Sequence, residues 1–186
     1  LLVDVSHDLG MMGDTGRGAI EMQRMLGRID ILVGSFARAF AANGGFVASS
    51  HPALKAALRL ACGAQTDSNA LSPVQAAVAL AALEVITSEE GAERRARLAA
   101  NADHLRAGLR AAGFAPAGQP GPVVTLRFSR LEEARRLTAE MLAHGALVNL
   151  DEGPLVAPDA PVAAAPALWR LKVMADHAID ELDAFV

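Results

Sequence analysis

Apolar residues fall in short runs through the first fifty positions and at helical spacing after them. The runs LLVDV (1–5), IDILVG (29–34) and GGFVAS (44–49) are flanked by glycine-rich connections, which predicts three neighbouring strands at the centre of a sheet. LLVDV has the form of a buried parallel strand carrying an acid near its end. A chain that opens on such a strand, without Met, reads as the C-terminal part of something longer. From His51 the spacing becomes helical. HPALKAALRLACG has Pro52 in its first turn and Gly63 as its stop, and SPVQAAVALAALEVI has Ser72 as N-cap with Pro73 at the first helical position.

A long polar helix is predicted from about Ser88, with Leu98, Leu105 and Leu109 on one face, a solvated surface elsewhere, and Gly113 at its end. Beyond PAGQPGP the pattern reads strand, helix, strand: VVTLRF, RLEEARRLTAEMLAHG and ALVNL. The proline-rich DEGPLVAPDAPVAAAP is predicted to be a loose connection to the strand LWRLKVMA and to a last helix from about Ala178. The organisation changes near residue 90, so residues 1–89 read as the end of a large α/β domain and 90–186 as a smaller α+β domain.

Composition narrows the function classes. The 186 residues are about half apolar with a net charge of -4, and no basic stripe offers itself to a nucleic acid backbone. One cysteine, Cys62, permits no internal disulfide and fits a reducing cytoplasm, and no apolar run approaches the length of a membrane span. No spacing of Cys or His suggests a metal. Only Lys55 and Lys172 are lysines, and the remaining cations are arginines.

Two stretches carry chemistry. DVSHDLGMMGDTGRG puts Asp4 at a strand's carboxyl end and His7 three residues on, followed by four glycines. Ligands of open α/β sheets bind at such strand ends. An acid there either caps a loop or pairs with the protonated ring nitrogen of a cofactor. The glycines do not follow the dinucleotide-binding spacing. ILVGSFARAFAANGGFVASS then places one cation, Arg38, alone in an apolar, glycine-punctuated turn.

With QTDSNALSP and WRLKVMADH, these stretches resemble, in order and spacing, the α-oxoamine synthases. That group of fold-type I pyridoxal 5′-phosphate (PLP) enzymes includes 8-amino-7-oxononanoate synthase, 2-amino-3-ketobutyrate CoA ligase and serine palmitoyltransferase. The resemblance covers essentially the whole chain, and it implies an aspartate aminotransferase-like α/β fold, here the C-terminal part of the large domain plus the small α+β domain. It implies Asp4 on the cofactor's ring nitrogen and His7 near its phenolic oxygen, with a loop hydrogen bond as the plain alternative for His7. Ser35 corresponds to a hydroxyl on the cofactor phosphate. Ser68 corresponds to a hydroxyl offered to the partner subunit's phosphate, or else caps the turn before Ser72. Seven residues before His177, Arg170 corresponds to the residue that holds the amino acid's carboxylate, or else is a surface arginine; Lys172 shares its face of the strand.

One position departs with chemical force. The family's Schiff-base lysine falls on Arg38, whose guanidinium stays protonated and cannot supply a free amine. Ala37 stands where the family keeps a serine, and Asp67 is an acid beside a phosphate-binding segment. The resemblance therefore implies an acyltransferase that condenses an amino acid with an acyl-CoA, impaired at its lysine, with PLP bound without a covalent link or absent. The alternative is a silent subunit, in a homodimer or in a heterodimer with an active paralogue, as in the subunit of eukaryotic serine palmitoyltransferase that lacks the lysine. An anion held by Arg38 is chemically reasonable in either case.

Overall fold

The computed structural model describes residues 1–68, 70–118, 120–152 and 167–186. They form two compact units, Leu1–Arg95 and Ala96–Val186. The sequence reading puts the division at 89/90, the start of the long helix; the contacts divide that helix six residues further on.

In the first unit, β1 (Leu2–Asp4), β2 (Ile31–Ser35) and β3 (Gly45–Ala48) make a sheet in that order. β1 lies parallel to β2 with Asp4 opposite Val33, and β2 lies antiparallel to β3 with Ser35 opposite Gly45. The predicted strands are present; within these residues β1 stands at one side of the sheet, Leu1 and Leu2 are exposed and burial begins at Val5.

Helices α1 (Ala19–Met22), α2 (Pro52–Ala61), α3 (Gly63–Thr66) and α4 (Pro73–Ile86) complete the unit. Ser72 caps α4 as predicted, its Oγ accepting from the Gln75 N–H at 3.3 Å. Gly63 does not stop α2. The helix ends at Ala61, where Cys62 turns extended, and Gly63 opens α3.

Helix α5 (Glu89–Ala111) is the predicted long helix, started by Ser88 Oγ accepting from the Gly91 N–H and ended near Gly113 at φ 91°. The second unit contains most of α5, β4 (Val123–Phe128), α6 (Leu131–Ala143), β5 (Asn149–Asp151), β6 (Ala167–Lys172) and α7 (Ile179–Phe185). Its sheet has the order β4-β6-β5 with antiparallel pairs, and Arg170 stands between Thr125 and Asn149. Leu98, Leu105 and Leu109 are buried together, as their spacing requires. Trp169 packs edge-on against Phe128 and donates its indole N–H to Thr138 Oγ1 at 2.8 Å, which ties α6 to the sheet. The proline-rich connection, residues 153–166, lies outside the described residues.

The expected solvated surface of α5 has two exceptions. Arg106 and Asn101 are buried. Arg106 donates through Nη2 to the carbonyls of Gly118 (2.9 Å) and Gly121, and through Nη1 to Asp103 at 3.3 Å. It therefore acts as an internal strut between α5 and the Pro/Gly segment before β4.

Candidate functional site

Because β1 and β2 are parallel, their carboxyl ends open on the same edge of the sheet, the edge where such folds place ligands. Asp4 ends β1. Its Oδ1 accepts from the Ser6 N–H at 2.8 Å, a contact that caps the loop after β1. The carboxylate remains exposed. The Ser6 hydroxyl and backbone N–H hold its pKa below the ordinary aspartate value, assisted by the nearby His7.

The segment after β2 explains the isolated cation. Phe36 contacts the rings of Phe40 and Phe46 at centroid separations of 5.3 and 5.7 Å, and Phe40 and Ala42 are buried. The turn closes through the Phe36 N–H to Gly44 O and the Ala42 N–H to Phe36 O, each at 2.9 Å, and α4 braces it where Gln75 accepts from the Asn43 N–H at 2.7 Å. Gly44 adopts φ 92°, and a Cβ on Gly45 would collide with the Gly34 carbonyl, so the glycine pair lets β3 return this tightly. Phe36, Phe40 and Ala42 thus anchor a rigid turn that leaves Arg38 exposed.

Arg38 Nη2 lies 3.5 Å from His7 Nε2, which brings together two of the residues singled out in the sequence. At that separation the contact is a loose one. Among the described residues Arg38 meets no carboxylate. Ser35 Oγ, at the end of β2, accepts from the Ala37 N–H at 3.1 Å and keeps its own proton to donate. Asp4, His7, Ser35 and Arg38 therefore stand at or just beyond the same strand ends. The set combines one carboxylate, one imidazole, one hydroxyl and one permanent cation, which suits a ligand with a cationic and an anionic end.

Ser68 has a local contact: its Oγ donates to Ala64 O at 2.5 Å, at the end of α3. On β6, Arg170 pairs with Asp151 Oδ2 at 2.7 Å, and Lys172 shares its exposed face while Trp169 and Leu171 turn inward. His177 accepts the Met174 N–H at Nδ1 (3.3 Å).

Three supporting residues escaped the sequence reading. Glu21 gathers the Thr15 N–H, the Thr15 hydroxyl and the Arg17 N–H at 2.9–3.2 Å, closing the glycine loop after His7. Asp8 Oδ2 accepts from the Ala19 N–H at 2.7 Å, and its buried Oδ1 has no hydrogen-bond partner among the described residues. Asn101 donates to the carbonyls of Met174 (3.0 Å) and His177 (2.9 Å), fixing the turn after Arg170's strand. Glu21 lies six residues from Thr15, so its role depends on positive-φ glycines, Gly13 and Gly16 among them, and no helical or strand periodicity marks it.

Among the described residues, no group of His, Cys, Asp and Glu could hold a metal ion and no helix is long and apolar enough to cross a membrane.

Comparison with known proteins identifies this fold as that of fold-type I enzymes, here including the C-terminal part of the large domain. The chain belongs to the aminotransferase class I and II family, which matches residues 1–186. Its relatives are α-oxoamine synthases. It is 34% identical to 8-amino-7-oxononanoate synthase of Geobacter metallireducens over 98% of this chain and 45% of that protein. It is 33% identical to serine palmitoyltransferase of Sphingomonas paucimobilis over 95% of this chain and 40% of that one. The fold matches Sphingomonas wittichii serine palmitoyltransferase with a TM-score of 0.84 at 26% identity, over 99% of this chain and 45% of that one. A further serine palmitoyltransferase structure, which contains PLP, matches with a TM-score of 0.83 at 32% identity, over the same shares of the two chains. The chain thus spans less than half the length of these relatives.

Proposed function

We propose that this chain is the C-terminal part of an α-oxoamine synthase-type acyltransferase that holds PLP without a covalent link and is impaired in condensing an amino acid with an acyl-CoA. The observation that carries the reading is Arg38, presented by a rigid turn beside His7 at the edge where the Asp4 and Ser35 strands end.

The residues fit the cofactor in part. Asp4 is exposed and held ionised, as a partner for a protonated ring nitrogen must be. Ser35 has a proton to give a phosphate oxygen. Arg38 fits an anion and cannot fit the covalent attachment, since its guanidinium has no nucleophilic amine. When bound, PLP supplies an electron sink for the substrate's α-carbon. Around it, Asp4 would keep a negative charge against the ring nitrogen and His7 would face the phenolic oxygen. Ser68 would give its proton to the partner subunit's phosphate once it released the Ala64 carbonyl. Arg170 would exchange Asp151 for the amino acid's carboxylate, a bidentate match. Residues 1–89 and 90–186 correspond in this reading to the end of the large domain and the small domain of a cytoplasmic dimer.

The fixed charge of Arg38 favours one further reading, a silent subunit that pairs with an active paralogue. Equilibrium dialysis of the full-length protein against PLP, followed by gel filtration, tests both. Saturable uptake that is lost on filtration and not fixed by borohydride supports non-covalent holding. No uptake favours the silent subunit, and uptake fixed by borohydride on the unmodified chain overturns both.

A further inference from the structure

His7 and Arg38 meet from two segments of the first unit that are separate in sequence. The loop that follows His7 keeps its own shape. The Gly10 N–H donates to Gly16 O at 2.7 Å, Glu21 gathers the Thr15 and Arg17 amides, and Asp8 accepts from the Ala19 N–H. All of these bonds stay within residues 8–21, so none of them fixes the loop against the turn that presents Arg38.

The loop meets that turn at Gly10. A Cβ there would come within 2.7 Å of Ala39 Cβ and 2.9 Å of Ile86 Cδ1, so the residue after Arg38 and the last residue of α4 both press on the loop backbone. Ile86 is buried and lies against Gly16 as well, where a Cβ would meet its Cγ2 at 3.1 Å. One charged side chain closes this arrangement. Arg95, in the second turn of α5, donates through Nη1 to Ile86 O at 2.7 Å and through Nη2 to Asp14 O at 2.9 Å. It satisfies a carbonyl left open at the end of α4 and fastens the glycine loop to that helix end. The tight α4–α5 junction sets its reach, because a Cβ on Gly91 would strike the carbonyls of Val85 and Ile86.

We propose that Arg95 is a positioning residue for the strand-end site: by holding the glycine loop against Ile86 and Ala39 it keeps His7 beside Arg38, although both of its hydrogen bonds go to backbone carbonyls elsewhere. Its consequence for the cofactor rests on the proposed function, whereas the placement of His7 does not.

Two measurements on the full-length protein test it. The first follows the imidazole signals of His7 by NMR with labelled histidine, assigned through His7→Gln, as Arg38→Met is introduced. Removing the guanidinium should displace those signals in the unmodified chain. The same change should leave them nearly unmoved in an Arg95→Met background, and Arg95→Lys, still a cationic donor, should restore part of the displacement. A displacement that persists in full with Arg95→Met, or none in the unmodified chain, would overturn the assignment. Should Arg95→Met not fold, Ile86→Val removes only the Cδ1 that faces Gly10 and should also reduce the displacement; an undiminished one there would count against the assignment equally. The second measurement is equilibrium dialysis, in which Arg95→Met should hold PLP several-fold more weakly and Arg95→Lys less so. Equal PLP affinity in the unmodified chain and Arg95→Met would remove Arg95 from the site. Failure of the PLP reading would appear separately, as absent uptake by the unmodified chain with the NMR result intact.

Discussion

Arg38 and Glu21 differ in how far a single residue can be read before the fold is known. Arg38 is conspicuous as a lone cation in an apolar run, and the ring contacts of Phe36 and the Gly44–Gly45 return account for its exposure. Glu21 is inconspicuous, yet three donors converge on it. Burial raises its pKa, but the Thr15 hydroxyl and the Arg17 and Thr15 amides outweigh burial and hold it below the ordinary glutamate value. A lowered folded-state pKa means that this support is fully present above the unfolded value and is lost as pH falls through the folded one. Protection of the Thr15 and Arg17 amides against hydrogen exchange, relative to their intrinsic rates at each pH, should therefore fall below the ordinary carboxylate range. Glu21→Gln should show faster exchange at neutral pH as well. Unchanged protection in that variant would remove Glu21 from its role as the clamp of the glycine loop.

Among the elements, those with strong periodicity or punctuation were legible in the sequence. α4 begins at its Ser72-Pro73 signal, the leucine face of α5 is the buried one, and β4 and β6 occupy their predicted runs. Ser72→Ala should cost about 1 kcal/mol of stability, the usual worth of such a cap, measurable by urea unfolding. The end of α2 was not legible. Gly63 looks like a stop, but Cys62 breaks the helix and Gly63 enters the next turn. Nor was the strut inside α5, because an arginine among arginines carries no mark of burial. Arg106 has 0% exposure and serves the Gly118 and Gly121 carbonyls. Arg106→Leu leaves those acceptors without their donor, and a loss of about 3 kcal/mol is expected in the same experiment. A loss below about 0.5 kcal/mol, typical of surface sites, would place Arg106 outside the support of β4.

At the largest scale, α4 carries apolar residues around most of its circumference, with Gln75 and Glu84 the exceptions, and Val74 is 70% and Leu80 62% exposed in these 186 residues. Apolar surface of this kind is ordinarily covered. The 186 residues alone should associate with rising concentration in light scattering, and the pair Val74→Glu and Leu80→Glu should reduce that association; a monodisperse monomer at high concentration would contradict this. Under the proposed function, one side chain, at position 38, separates non-covalent from covalent holding of PLP. The direct measurement is borohydride reduction of the full-length protein with PLP, followed by mass spectrometry of the peptide spanning residues 31–50, for the unmodified chain and for Arg38→Lys. No cofactor mass is expected on that peptide in the unmodified chain, and its appearance is expected in Arg38→Lys. Cofactor fixed elsewhere in the unmodified chain, or none fixed at position 38 in the variant, would contradict it.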